Sequence, residues 1–258
     1  MINMKDVIDF TVVSNEKLSE RHFLLSLKSS DKLIKVHPGQ FVNVLIPKTN
    51  EIFLRRPFSV HDIDYENNIL KLFIQIAGKG TDTLSHIKIG EVLNLIYPLG
   101  NSFSFNNDNK CLLIGGGCGI APLLLLSKTM FQQGIKHSVI IGARYKNEIT
   151  EIEEYQKYAD VYFSTDDGSL GEKGFVTKHF IVSEIGNKFN KVFACGPEPM
   201  LKAIANISKE RNVDCEVSLE NTMACGFGVC LCCVTETVDG RQCVCTKGPV
   251  FNSSDLLW

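Results

Sequence analysis

Six of the chain's ten cysteines crowd into Cys225–Cys245, and three of them, Cys225, Cys230 and Cys233, have the spacing C-x4-C-x2-C. Thiolates so spaced, with a fourth farther on, are the plant-type ligand set of a [2Fe–2S] cluster. Such a loop must wrap two irons and aim three sulfurs inward, so the residues between must be small. Gly226 and Gly228 meet that need, because they bring backbone close and accept positive φ. Backbone N–H groups there can donate to the sulfurs and tune the potential. Cys243 and Cys245 both stand at a suitable distance for the fourth ligand. Cys245 is chosen, because Thr246-Lys247-Gly248-Pro249 supplies a turn back towards the cluster. Cys232 adjoins Cys233, and adjacent side chains seldom face one centre, so it is read as a bystander. The competing readings are a structural zinc site and buried free thiols. Zinc sites usually come as two CxxC pairs, and only Cys230–Cys233 is a clear one. The remaining cysteines, Cys111, Cys118, Cys195 and Cys215, are dispersed. A secreted disulfide scaffold would be shorter and stapled throughout.

Two glycine-rich segments suit phosphate. Gly115-Gly116-Gly117-Cys118-Gly119-Ile120-Ala121-Pro122 follows an apolar run and opens a helical one. Gly117 and Gly119 there let a phosphate approach backbone at a helix start, and Pro122 suits a first turn. The alternative is a tight strand–helix turn without ligand. In the first hundred residues, Arg56 of Leu54-Arg55-Arg56-Pro57-Phe58-Ser59-Val60 suits a diphosphate. Thr81 of Ala77-Gly78-Lys79-Gly80-Thr81 is expected to cap a helix over Asp82–Ile87, facing the same phosphate. Singly, each reads as a solvated arginine or an ordinary cap. No hydrolytic triad is apparent. His22, His37, His61, His86, His137 and His179 are scattered and read as surface or core residues.

The elements that must hold these groups change character along the chain. Val7–Val13, Phe23–Lys28, Phe41–Ile46, Ile69–Ile76 and Val92–Ile96 read as short strands. Pro38-Gly39, Asn67-Asn68 and Leu99-Gly100-Asn101 turn them, which predicts a small antiparallel barrel. Ser104–Lys110 is the candidate linker. Beyond it, apolar strands at Cys111–Ile114, Ser138–Gly142, Val161–Ser164 and Lys191–Cys195 alternate with helical stretches such as Pro122–Gln133. That alternation is the mark of a parallel sheet wrapped by helices. The expected class is α+β multidomain, with a barrel over 1–103, an α/β domain over 104–217 and a cluster domain over 218–258. With 258 residues and 44% hydrophobic content the chain can bury a sizeable core. Twenty-seven basic residues against 29 acidic argue against a nucleic-acid or polybasic membrane surface. No apolar run reaches a membrane span. The start at Met1-Ile2-Asn3-Met4-Lys5-Asp6 does not read as a leader, so a cytoplasmic location is expected.

Taken in order, R-P-F-S, G-K-G-T, G-G-G-C-G-I-A-P, C-G-P-E-P-M at Cys195–Met200 and the cysteine tail ending in Gly248-Pro249-Val250-Phe251 resemble the ferredoxin–NADP reductase superfamily. Within it, the chain resembles the electron-transfer subunits of class B dihydroorotate dehydrogenases from about Asp6 to Phe251. The resemblance implies FAD held by Arg56, Pro57, Phe58 and Ser59, by Phe73, Ile74 and Gln75, and by Gly80 and Thr81. It implies cluster ligands at Cys225, Cys230, Cys233 and Cys245, and NAD as the second nucleotide. It also implies a partner: an FMN-containing dihydroorotate dehydrogenase catalytic subunit, two of each chain forming a heterotetramer in pyrimidine (UMP) biosynthesis. The loop at Cys195 would then lie near the nicotinamide, the alternative being a buried cysteine at a strand end. NADP-using relatives tend to be basic where Asp166 and Asp167 stand, so the two acids favour NAD. Arg144 is a counter-signal. The competing readings are a related FAD/[2Fe–2S] NAD(P)H oxidoreductase subunit serving a hydrogenase or transhydrogenase, and a zinc-stapled partner-binding domain. Trp258 is expected to pack locally rather than anchor a partner.

Overall fold

The structure, a computed structural model, describes residues 6–47 and 52–258. Met1–Lys5, part of the segment read above for a leader, lie outside them. The first part holds strands β1 (Asp6–Lys17), β2 (His22–Ser29), β3 (Phe41–Val44), β4 (Arg56–Ser59), β5 (Asp62–Asp64), β6 (Ile69–Gln75) and β7 (Val92–Leu99), with helix α1 (Lys79–Ser85) before β7. They form an antiparallel half-barrel sheet in the order β4-β3-β7-β1-β2-β6-β5. Phe10, Leu25, Leu27, Val42, Val44, Leu72, Leu95 and Tyr97 fill its concave side. Strands β4 and β5 go beyond the expected set, because Arg-Pro-Phe-Ser and Asp-Ile-Asp carry no long alternating apolar run. On β6 the expected period of two holds: Leu70, Leu72 and Ile74 enter the half-barrel core. Phe73, on the opposite face, enters a second core shared with the next domain.

That domain is a parallel sheet. Its elements in chain order are β8 (Cys111–Gly116), α2 (Leu123–Gln132), β9 (His137–Ala143), α3 (Ile152–Gln156), β10 (Asp160–Thr165), β11 (Glu172–Lys173), α4 (Phe180–Ser183), β12 (Lys191–Cys195), α5 (Glu198–Glu210) and β13 (Asp214–Ser218). From β8 the chain moves outward through β9, β10 and β11, then crosses back to β12 and β13. A crevice at such a reversal, past the strand C-termini, is where α/β sheets bind ligands. Helix α5 shows how the sequence wraps the sheet: Met200, Leu201, Ile204, Ala205 and Ser208 recur at helical spacing and are buried.

The tail adds a hairpin, β14 (Val234–Thr237) and β15 (Gly240–Cys243), then α6 (Val244–Lys247) and β16 (Val250–Asn252). Strand β16 pairs antiparallel with β13, so the tail closes one edge of the parallel sheet. The half-barrel docks on that sheet through polar ties as well as apolar ones. His61 is fully buried, with Nδ1 2.8 Å from the Ala121 carbonyl and Nε2 2.7 Å from Glu151. Asp62 accepts from Lys128 of α2 at 2.6 Å and pairs with Lys71 at 3.1 Å. Trp258 lies over Lys202 of α5, with Nζ 5.9 Å from its ring centroid.

Candidate functional site

The cysteine loop is built as its spacing requires. Gly226 and Gly228 both have positive φ, at 80° and 88°. A Cβ on Gly226 would stand 2.7 Å from Asn43 Nδ2, and one on Gly228 2.8 Å from the Thr246 methyl. Backbone N–H groups turn towards sulfur: Phe227 N to Cys225 Sγ at 3.4 Å, Cys232 N to Cys230 Sγ at 3.5 Å, and Cys245 N to Cys233 Sγ at 3.4 Å. The thiols feel one another: Cys230 acts on Cys225, and Cys233 acts on both Cys245 and Cys243. Burial pushes the Cys225 thiol up, but the N–H groups of Phe227, Cys230 and Val229 and the Cys230 thiol outweigh it and bring it to about 6. Cys245 is pushed up to about 12 by burial and by Cys233. Among the described residues, no group of three or more His, Cys, Asp or Glu side chains is placed to hold a single ion. Clustered thiols with N–H groups directed at their sulfurs are the donor set a [2Fe–2S] cluster takes. Cys243 also approaches Cys233, but Cys245 is the buried one.

Two residues that the sequence reading passed over fix this loop. Asn43 is fully buried in β3 and donates from Nδ2 to the Cys225 carbonyl at 3.1 Å. On its other side β3 pairs with β4, where Asn43 stands opposite Pro57. A polar residue in the apolar run Phe-Val-Asn-Val was the available signal. Asn101 clasps the return segment: its Nδ2 donates to the Lys247 and Val250 carbonyls at 2.9 and 2.7 Å, and Val250 N donates to its Oδ1 at 3.0 Å. As one residue of a turn it gave no such signal.

The Arg-Pro-Phe-Ser strand is half-buried throughout. The neighbouring arginines divide the work. Arg55 is spent on the scaffold, bonding the Asn43 and Asn94 carbonyls at 3.2 and 2.9 Å. Arg56 donates to the Leu54 carbonyl at 2.8 Å and lies against Gly80, whose added Cβ would meet its Nε at 3.3 Å. Arg56 and the Gly80-Thr81 turn therefore converge. The expected cap is corrected: the helix runs Lys79–Ser85 with Gly78 at the N-cap. Thr81 sits in its first turn and accepts from the Ala77 and Gly78 N–H groups at 2.8 and 3.1 Å. The Gly-Lys-Gly run starts the helix earlier than Asp82 because Thr81 reaches back to its entry. Phe73 and Ile74 send their side chains into two cores and pair with β2 at Leu24 and Phe23, whereas Gln75 reaches the interdomain cleft.

That cleft, of about 600 Å³, lies at the sheet's reversal point and is lined by Gln75, Gly117, Cys118, Asp166, Pro197 and Glu220, among others. Gly117 has φ +56° with open space where a Cβ would stand. Gly119 differs: a Cβ there would be 2.2 Å from the Cys195 carbonyl oxygen, so close backbone packing demands that glycine. Cys195 is buried at the end of β12, its thiol 3.7 Å from Glu220 and pushed well up by burial and then by the Glu220 charge. Glu220, itself raised by burial, is the group that faces the cleft. Arg144 is engaged by Glu148 at 2.6 Å. Asp166 lines the cleft, while Asp167 accepts from Ser169.

A flavin-type half-barrel, a nucleotide sheet with its glycine turn and clustered thiols on a tail define a ferredoxin-reductase-like oxidoreductase with an iron–sulfur domain. Comparison with known proteins gives the same division. Residues 9–103 match an oxidoreductase FAD-binding domain, 113–206 an oxidoreductase NAD-binding domain, and 220–257 the iron–sulfur cluster binding domain of dihydroorotate dehydrogenase B. The chain is 38% identical over 255 residues to a dihydroorotate dehydrogenase B (NAD(+)) electron transfer subunit of Fusobacterium nucleatum, covering 96% of this chain and 97% of that one. It is 37% identical, over the same shares, to the subunit of that name from Caldanaerobacter subterraneus. The chain belongs to the family of dihydroorotate dehydrogenase B (NAD(+)) electron transfer subunits. Among solved structures it resembles an NADH-dependent reduced ferredoxin–NADP oxidoreductase, with a TM-score of 0.87 and 29% identity, covering 96% of this chain and 90% of that one.

Proposed function

We propose that this chain carries electrons from a dihydroorotate-oxidising catalytic subunit, through its [2Fe–2S] cluster and FAD, to NAD+ in pyrimidine (UMP) biosynthesis. The observation that carries the reading is Asn43, which bonds the Cys225 carbonyl and stands opposite Pro57 of the flavin strand. One buried residue thus ties the cluster loop to the flavin segment, as a short electron path requires. In this reading Cys225, Cys230, Cys233 and Cys245 hold the cluster. Arg56, Pro57, Phe58, Ser59, Phe73, Ile74, Gln75, Gly80 and Thr81 hold FAD. Gly117 receives NAD, and Gly119 lets the Cys195 strand approach that turn. Held by these residues, FAD would supply the coupling between one-electron exchange with the cluster and hydride exchange with nicotinamide. The chain's own part is positioning. Arg56 offers charge to a diphosphate; Arg144, Glu148 and Asp166 all line the cleft, and Glu148 engages Arg144, so two carboxylates against one paired arginine disfavour a 2′-phosphate.

The division at 1–103, 104–217 and 218–258, an FMN-bearing partner, a two-plus-two heterotetramer and a cytoplasmic location belong to the same reading. Among the described residues no cysteine is joined in a disulfide, which suits a reducing compartment. The likeness to a ferredoxin–NADP oxidoreductase favours the second reading, a related subunit serving another partner. Co-purification from the native host followed by a dihydroorotate:NAD assay separates them. An FMN-bearing companion and activity with dihydroorotate are expected. A complex that carries flavin and cluster yet ignores dihydroorotate would overturn the first reading and leave the second.

A further inference from the structure

His22 is 2% exposed, lines the interdomain cleft, and has a ring nitrogen, Nε2, with no hydrogen-bond partner. A buried polar atom without a partner calls for a ligand or a stated reason. The other nitrogen is accounted for. Ser19 Oγ lies 3.0 Å from Nδ1 and accepts the backbone N–H groups of Arg21 and His22 at 3.2 and 3.1 Å. With its lone pairs so used, the Ser19 hydroxyl donates its proton to Nδ1. A neutral imidazole accepting at Nδ1 carries its own proton on Nε2. Burial lowers the His22 pKa against the raising effect of Glu148, which keeps the ring neutral. The ring is also fixed in plane, stacked on Phe73 at 5.2 Å and 21°. Across the β2–β6 ladder its partner is Gln75, which lines the same cleft.

We propose that His22 is a dinucleotide-binding residue whose Nε2–H is donated to an acceptor atom of the FAD or NAD held in this cleft. The inference rests on the functional reading above and adds a residue to it. Adenine ring nitrogens, ribose hydroxyls and phosphate oxygens are acceptors that both dinucleotides offer; the flavin adds its ring carbonyls and nitrogens, and nicotinamide its carboxamide oxygen. Ser19 and Phe73 make the donor pre-set, so binding need not reorient it.

The test compares His22→Gln with His22→Asn in the full chain. Glutamine can place its amide nitrogen where Nε2 stands, whereas asparagine reaches only the Nδ1 position. FAD titration of flavin-stripped protein and NAD titration of the reloaded protein form the two arms. The Asn variant is expected to weaken one dinucleotide roughly fivefold, as one lost neutral hydrogen bond does, and the Gln variant to stay within about twofold of the unaltered chain. The affected arm identifies the ligand. Should the Asn variant fold poorly by thermal melt, His22→Phe, which keeps the stack on Phe73, replaces it with the same expected loss. The inference is overturned if the variants bind both dinucleotides like the unaltered chain, or lose affinity equally. Failure of the unaltered chain to bind either dinucleotide would instead remove the functional reading.

Discussion

Cys225→Ser is expected to remove most of the cluster, read as lost visible absorbance and lost iron and acid-labile sulfide, while the flavin bands remain. Asn43 is a subtler target. Replacing it by alanine leaves the half-buried Cys225 carbonyl without its donor, which should cost about 1 kcal/mol in denaturant unfolding. It should also slow electron passage between flavin and cluster in rapid mixing, with flavin reduction by NADH unchanged. At this scale the iron–sulfur character of the tail was legible because thiolate chemistry fixes the spacing of its cysteines. Asn43 and Asn101 were not, because an amide's partner is set by whichever carbonyl the fold brings to it, here residues 182 and 146 positions away.

Glycines of one loop part company when the neighbouring strands are considered. Gly119→Ala should cost roughly 2–3 kcal/mol in thermal unfolding, since its Cβ would meet the Cys195 carbonyl oxygen and strand β12 would have to shift. Gly117→Ala meets open space and should cost only about 1 kcal/mol of backbone strain, its main effect being a raised Kd for NAD. In sequence the two are indistinguishable. Helix α1 makes a similar point: Thr81 carries a capping residue type, yet it serves from the first turn and Gly78 takes the cap position. Residue type announced a helix start, and backbone hydrogen bonding chose its residue. Long apolar strands such as β6 and β8 were readable because the period of two and full burial both appear in composition, whereas β4 and β5 exist through pairing with β3 and β6.

The assembly of the three parts depends on few polar contacts between half-barrel and sheet, and Asp62 with Lys128 is one that pH can address. Burial would raise the Asp62 pKa, but Lys128 and Lys71 outweigh it and hold the carboxyl below its ordinary value. Its stabilising contribution is therefore complete above the unfolded-state value of about 4 and is lost as pH falls through the depressed one. Melting temperature should drop over that acid range, and Asp62→Asn should flatten the drop. At neutral pH, Asp62→Ala leaves two lysine charges facing each other without their carboxylate, and should destabilise by roughly 3 kcal/mol. The tail is held through β16 on β13, through Asn101, and through Asn252 of β16, whose Nδ2 donates to Asp214 at 2.7 Å.

Local chemistry is what the amino-acid order determined alone: the thiolate spacing, the glycine turns, the alternation that separates an antiparallel from a parallel sheet, and the motif order that marks the family. These depend on residues near one another in the chain, where covalent geometry leaves few options. Tertiary structure alone decided that Cys225 is tied to the strand beside Pro57, that Gly119 serves packing while Gly117 faces open space, that Glu148 engages Arg144, and that His22 keeps a lone donor at the cleft. Each of these is a contact or a void between distant segments, and such proximity is set by how whole sheets dock.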